Sequence, residues 1–307
     1  MVCEFGDDDE GKILDLQGGE WHQWEWVLQL ASLVTGRRFS RFDGVCENTR
    51  WLFKDEEIEA FMLQPMYDAS VSRCFKEGGN SFLRDKEDRV LIGVDHAALG
   101  FGSIAAHGHA DALSFQMLVD GQPVITDPGT YIYHCDLPHR NSFRKTINHS
   151  TVCVDGRDQS EMLGAFLWGK RAACTLEHFS SDEDVDILTA SHDGYKPIIH
   201  QRTFEWHKTG LKLRLKDVVA DKKGAATDWV STLMLGKDVE IKESGPDSVM
   251  LTAGKNEIRI SVNTPIDRLC IENAEVSVEY GVKTASKAIR IYGRETFCSI
   301  DIDIKLD

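Results

Sequence analysis

The chain has 307 residues, a formal net charge of −15 and 42% hydrophobic residues, enough length to bury a sizeable core in one large or two ordinary domains. The acidity argues against general binding to nucleic acid or to an anionic membrane surface, while leaving room for an anionic substrate in a locally basic cleft. No apolar run is long enough to span a bilayer, and Met1 to Gly6 followed by Asp7-Asp8-Asp9-Glu10 is nothing like a signal peptide.

From Glu20 to Thr35 the residues Trp21, Trp24, Val27, Leu28, Ala31 and Val34 recur three and four apart before Gly36. That spacing predicts a helix with a wide buried stripe and a glycine stop, and reads its tryptophans as core rather than as a sugar platform. Asp55 to Leu63 predicts a shorter helix that opens on acidic residues. After about Gly78 the period changes to alternation. Arg89 to Asp95, Ala112 to Val119, Thr151 to Val154, Ala172 to His178 and Val185 to Ser191 read as strands. A hairpin is predicted for Ile199 to Trp206 against Leu211 to Val218, around a Lys208-Thr209-Gly210 turn. Short strands follow at Val239 to Lys242, Ile258 to Val262, Val276 to Tyr280, Ala288 to Tyr292 and Ser299 to Ile304. The expected fold is mostly β, an antiparallel multi-strand sandwich over residues 86–307 behind a helical segment over 1–85. Two helices with an apolar stripe need a partner surface, either the sheets or a larger helical domain. The eight cysteines are scattered without a CxxC pair, and Cys153 and Cys174, inside apolar runs, read as buried thiols.

His107-Gly108-His109-Ala110-Asp111 places two imidazoles and a carboxylate at alternate positions. In an extended run they share one face. They read either as hydrogen-bonded residues at a strand edge or as part of a site. Downstream lie Asp127-Pro128-Gly129-Thr130-Tyr131, Arg140 to Thr146, Asn148-His149-Ser150-Thr151 and Asp155 to Glu161. His109, Asp127 and His149 are suited to supply two nitrogens and one oxygen to a metal such as Zn²⁺, although their spacing is unlike a compact zinc motif. Cupin-type metal binding is disfavoured, since no glutamate follows shortly after His109. Arg140, Arg144, Lys145 and Arg157 are either a solvated face or, gathered beside His107, a fork for carboxylate or sulfate groups.

The ordered run HGHADALSFQM, DPGTYIYH and RNSFRKTINHSTVCVDGRDQSE resembles the signature region of the heparinase II/III family of polysaccharide lyases, which is also similar to alginate and oligoalginate lyases. The segment Gly6 to Gly11 and the strand starting His200-Gln201-Arg202 extend the resemblance. It implies that the helical segment is the end of an (α/α) toroid and that His107 is the active-site histidine, near the substrate carboxylate or the transferred proton. It further implies that Tyr131 lines the cleft and that His109, Asp127 and His149 hold a structural metal, usually zinc; with such a cleft beside His107, Arg140 and Arg144 read as the substrate-binding cations. The sequence departs from the family after His149, where Ser150 stands in place of a common asparagine. The implied activity is β-elimination on an anionic, uronate-containing polysaccharide, in the periplasm or outside the cell. The family's catalytic tyrosine and its companion lie on the toroid upstream, so half an active site is expected here, with the missing toroid or a second copy as partner. The alternative is a non-catalytic carbohydrate-binding or scaffold sandwich.

Overall fold

Alternating apolar and polar side chains need two solvents, and past Ser72 that demand produces stacked antiparallel sheets. The computed structural model describes residues 3–8, 24–39, 44–66, 71–221, 223–224 and 227–307. The chain divides into two units, one within residues 10–71 and the other made of Cys3–Asp9 with Ser72–Asp307. The division precedes the boundary expected near residue 85 because β1 (Arg73–Phe75) and β2 (Asn80–Arg84) pair with each other and, through β2, with β3 (Val90–Asp95).

In the smaller unit the helices are α1 (Glu25–Thr35), α2 (Glu47–Leu52) and α3 (Asp55–Met62). Residues 20–23 of the first predicted helix, with Trp21, lie outside the described residues. The stripe expected on α1 is not its buried face: Leu28 and Val34 are exposed, whereas Gln29 and Ser32 are buried. Hydrogen bonding explains this. Gln29 donates from Nε2 to Gly44 O (2.9 Å) and accepts at Oε1 from Cys46 N and Thr49 Oγ1 (both 2.9 Å), which overrides periodicity.

In the larger unit β1 to β3 continue into β4 (Phe115–Val119) and β5 (Gln122–Ile125), a five-stranded sheet. Then come α4 (Leu137–Arg144) and β6 (Val152–Val154). Next are β7 (Cys174–Ser181), β8 (Val185–His192), β9 (Ile199–His207), β10 (Lys212–Ala220) and β11 (Trp229–Met234). The chain ends with β12 (Glu240–Ser244), β13 (Ser248–Ala253), β14 (Asn256–Val262), β15 (Arg268–Glu279), β16 (Val282–Gly293) and β17 (Phe297–Lys305). The eight-stranded sheet runs β12-β13-β14-β17-β10-β9-β8-β7, and a four-stranded one runs β15-β16-β11-β6. Leu83, Ile92 and Met117 of the first sheet share one buried cluster with Leu188, Leu215 and Ile300 of the second and Val152, Leu233 and Ile291 of the third. The expected antiparallel sandwich is therefore present, with the predicted hairpin in register Lys212↔His207 through Ala220↔Ile199. No helix among the described residues is long and apolar enough to cross a membrane.

A buried ionic cluster ties the large sheet to the loops above it. Arg202 of β9 binds Asp217 of β10 through Nε and Nη2 (2.7 and 3.0 Å) and donates from Nη1 to the carbonyls of Leu113 (3.1 Å) and Ser150 (2.8 Å). Burial pushes the Asp217 carboxyl up, but the Arg202 charge and the His200 hydrogen bond outweigh it and hold it well below the usual carboxylate range. A carboxylate depressed in this way stabilises the fold above its unfolded pKa of about 3.9 and loses that contribution as pH falls toward its folded value. The stability gap between wild type and Asp217→Asn, measured by urea unfolding, is expected to be largest near neutral pH and to narrow below about pH 4. A gap that stays constant into acid would remove this role from the carboxylate.

Candidate metal centre

The run from His107 to Asp111 is not the strand that alternation predicts. His107 has φ +62°, Leu113 has φ +61°, and the strand β4 begins only at Phe115. Gly108 explains the departure: a Cβ there would lie 2.9 Å from Gly100 N and 3.0 Å from its Cα, so the loop passes too close to its neighbour for a side chain. The two histidines consequently part. His107 is exposed on the loop surface, while His109 and Asp111 are buried.

Below the loop, His109, Asp111, Asp127 and His149 bring one ligand atom each to within 4.8 Å of one another. Asp127 follows β5 and caps its own turn, Oδ1 accepting from Gly129 N at 2.8 Å. His149 follows a 3₁₀ turn at Thr146–Asn148 and donates from Nδ1 to Lys145 O at 2.8 Å. Ser150, the departure from the family pattern, does not support that ring; its hydroxyl accepts from Met234 N at 3.0 Å. Arg202 ties two of these three segments together through the carbonyls of Leu113 and Ser150, and the third follows β5.

The hydrogen bonds around this cluster turn two imidazole lone pairs toward one another. Asp7 is ionised: burial raises its pKa, but the His109 hydrogen bond and Arg140 outweigh this and bring it to about 2. His109 must therefore donate from Nε2 to Asp7 Oδ1 (2.9 Å), which leaves a lone pair on its Nδ1. His149 Nδ1 donates to a carbonyl, so Nε2 carries a lone pair as well. These two bare nitrogens face each other at 3.1 Å, and Asp127 Oδ2 stands 3.5 Å from His149 Nε2. Burial is the largest influence on both rings: it lowers the His109 pKa against the opposing pull of Asp7 and takes that of His149 to about 3, so both imidazoles favour the neutral form. The chain contains its own control. His192 and His200 also approach to 3.1 Å, but there His192 Nδ1 accepts from Gly194 N (3.2 Å) and His200 Nε2 donates to Asp217 (2.7 Å), so His192 Nε2–H can donate to His200 Nδ1. One pair is a closed hydrogen bond. The other is a set of converging acceptors.

Converging acceptors with two carboxylates fit a divalent ion. A tetrahedral ion bound at ~2.0–2.2 Å separates its ligand atoms by roughly 3.3–3.6 Å, and the contacts of 3.1 and 3.5 Å lie close to that spacing. Without a cation, burial pushes the Asp127 carboxyl well above its ordinary range, and burial with the Asp95 and Asp127 charges does the same to Asp111. Among the described residues no lysine or arginine pairs with either carboxylate.

The remaining predicted site residues divide. His107 is beside the cluster: its Nδ1 is 3.3 Å from Asp7 Oδ2, its side chain is 51% exposed, and its ring packs edge-on to Tyr133 and Phe166. Tyr131, half-buried, packs against Phe143 and lies near Lys283, while Tyr133, two residues on, is the tyrosine whose ring meets His107. Arg140 and Arg144 are corrected as substrate-binding residues. Both are fully buried, Arg140 forked onto Asp7 and Arg144 spread over the Trp168 ring with Nη2 on Gly164 O at 2.9 Å. The sequence signal for Asp7 was the acidic run of residues 7–10, and for Asp111 its alternation with the histidines.

A family model, Heparinase II/III-like, C-terminal, matches residues 69–305. An alginate lyase of Stenotrophomonas maltophilia (strain K279a) is 30% identical over 139 residues, 41% of this chain and 18% of its own length. The heparan sulfate lyase HepC of Pedobacter heparinus superposes with a TM-score of 0.73 at 17% identity, over 100% of this chain and 44% of that one. A heparinase III structure gives 0.70 at 14% identity, over 99% of this chain and 44% of that one. The chain therefore spans less than half the length of these relatives, and at such identities the two structures share its fold. With the family model covering nearly all of the β unit and the fold in agreement, the chain belongs to the heparinase II/III-like C-terminal family, a family related to polysaccharide lyases.

Proposed function

We propose that this chain is the C-terminal portion of a polysaccharide lyase that cleaves uronate-containing polymers by β-elimination. It works outside the cytoplasm and carries a structural divalent metal, zinc by its donor set, at His109, Asp127 and His149. The observation that carries the reading is the pair of imidazole nitrogens facing each other at 3.1 Å, one of them on the same loop as the exposed His107 and joined to it through Asp7. When bound, the metal supplies a fixed positive charge beneath the loop and holds three irregular segments in one geometry.

The chemistry needs few groups. A base removes the proton alpha to the substrate carboxylate, the electron pair forms a carbon–carbon double bond, the bond to the 4-linked oxygen breaks, and an acid protonates that oxygen. In this reading His107 meets either the carboxylate or the moving proton, which its exposure between the rings of Tyr133 and Phe166 supports. The family resemblance implies that the complementary groups come from a helical toroid. The full-length protein, incubated with a panel of uronate polymers, is expected to release products that absorb in the ultraviolet through the new double bond. Products without that absorbance would exclude elimination, and binding without any cleavage would favour a non-catalytic carbohydrate-binding module.

A further inference from the structure

Asp7 belongs to a short segment, Cys3–Asp9, that is far from the rest of its unit in sequence yet clamps onto the HxH loop at three points. Its backbone N–H donates to His107 O at 2.9 Å. Its carboxylate spans both histidines, with Oδ1 2.9 Å from His109 Nε2 and Oδ2 3.3 Å from His107 Nδ1. On the opposite edge the Arg140 guanidinium forks onto the same two oxygens. The carboxylate and the guanidinium are both fully buried. The approach is close enough to demand glycine next door: Gly6 sits at φ +77°, and a Cβ there would lie 2.4 Å from His107 O. The following residue extends the seam, Asp8 N donating to Thr130 Oγ1 at 2.7 Å.

We infer that Asp7 is a positioning residue that joins the metal centre to the exposed histidine, setting the tautomer of both imidazoles with one carboxylate. A carboxylate between two ring nitrogens repels a lone pair and attracts an N–H, so it selects Nε2–H on His109 and Nδ1–H on His107. On His109 this bares Nδ1 for the metal. On His107, whose side chain is half exposed, it bares Nε2 as a proton acceptor. Arg140 keeps the carboxylate charged and centred, and the edge-on contacts with Tyr133 (5.7 Å) and Phe166 (5.3 Å) limit rotation of the His107 ring. Its catalytic significance rests on the lyase reading; the tautomer assignment does not.

Long-range proton–nitrogen correlation spectroscopy on metal-loaded, histidine-labelled protein tests it, with His107 assigned by the signals lost in His107→Gln. Wild type is expected to carry the His107 proton on Nδ1. Asp7→Asn offers one acceptor and one donor, so one imidazole loses its acceptor; the His107 signals should move to the Nε2–H or averaged pattern, and metal affinity in a chelator competition should fall about 10–100-fold. Because Asp7→Asn leaves Arg140 buried without its carboxylate, Asp7→Asn/Arg140→Gln is measured beside it and should show the same two changes, while Asp7→Glu should restore part of both. A wild-type His107 protonated on Nε2, or a folded Asp7 variant with unchanged tautomer and metal affinity, overturns the assignment. Neither readout involves polysaccharide, so failure here leaves the elimination reading intact, and failure of the ultraviolet assay leaves this one intact.

Discussion

Replacing His149 with alanine is expected to take metal content, measured by elemental analysis of purified protein, from stoichiometric to a small fraction, and His109→Ala or Asp127→Ala to do the same. The reason is geometric. Each residue supplies one atom of a converging set, and alanine removes that atom. An ion held a thousandfold above its dissociation constant contributes about 4 kcal/mol to folding, so chelation of wild type should lower the thermal midpoint by on the order of 10 °C. The alanine variants, already without metal, should not respond to chelator. Wild-type protein free of divalent metal after exposure to zinc would refute the ligand set, as would a chelator response preserved in all three variants.

Replacing Arg202 with methionine is expected to cost roughly 3–5 kcal/mol, the scale for removing one partner of a buried ion pair. Asp217 would keep its His200 hydrogen bond but lose both prongs of the guanidinium, and the carbonyls of Leu113 and Ser150 would lose their donor together. Those carbonyls flank the loops that carry Asp111 and His149, so metal affinity should drop alongside stability. Arg202→Lys keeps the charge but not the fork, and should fall between the two. Chemical denaturation with metal titration checks both effects. A methionine variant within about 1 kcal/mol of wild type would mean that the cluster is no more than space filling.

Strand positions were legible in the sequence wherever burial on one face imposed a strict period of two, as in Leu213 and Leu215 against Phe204 and Trp206. The helix α4, which carries Arg140 and Arg144, was not read, because its burial comes from two guanidiniums and Phe143 rather than from an aliphatic stripe. The metal-ligand set was named through family resemblance, and His109, Asp127 and His149 do converge; spacing alone did not compel this, since the three are brought together by carbonyl and hydroxyl contacts that leave no periodic trace. The substrate roles expected of Arg140 and Arg144 assumed that a basic residue near a cleft faces it. Here the charge is consumed internally, by Asp7 for one and by burial over Trp168 for the other, with the Arg144 pKa pulled down to about 10 by that burial and by Arg140.

All eight cysteines are free thiols; Cys153 is buried as expected, with Cys298, while Cys174 is only partly so, and the chain has no covalent staple. The segments bearing His109, Asp127 and His149 are irregular backbone and would otherwise sample many arrangements before folding. On the proposed metal reading, a single ion gripping all three would close two loops at once, with the entropic advantage of cross-links and none of their dependence on oxidant. Folding of this layer would then answer to metal supply rather than to redox potential.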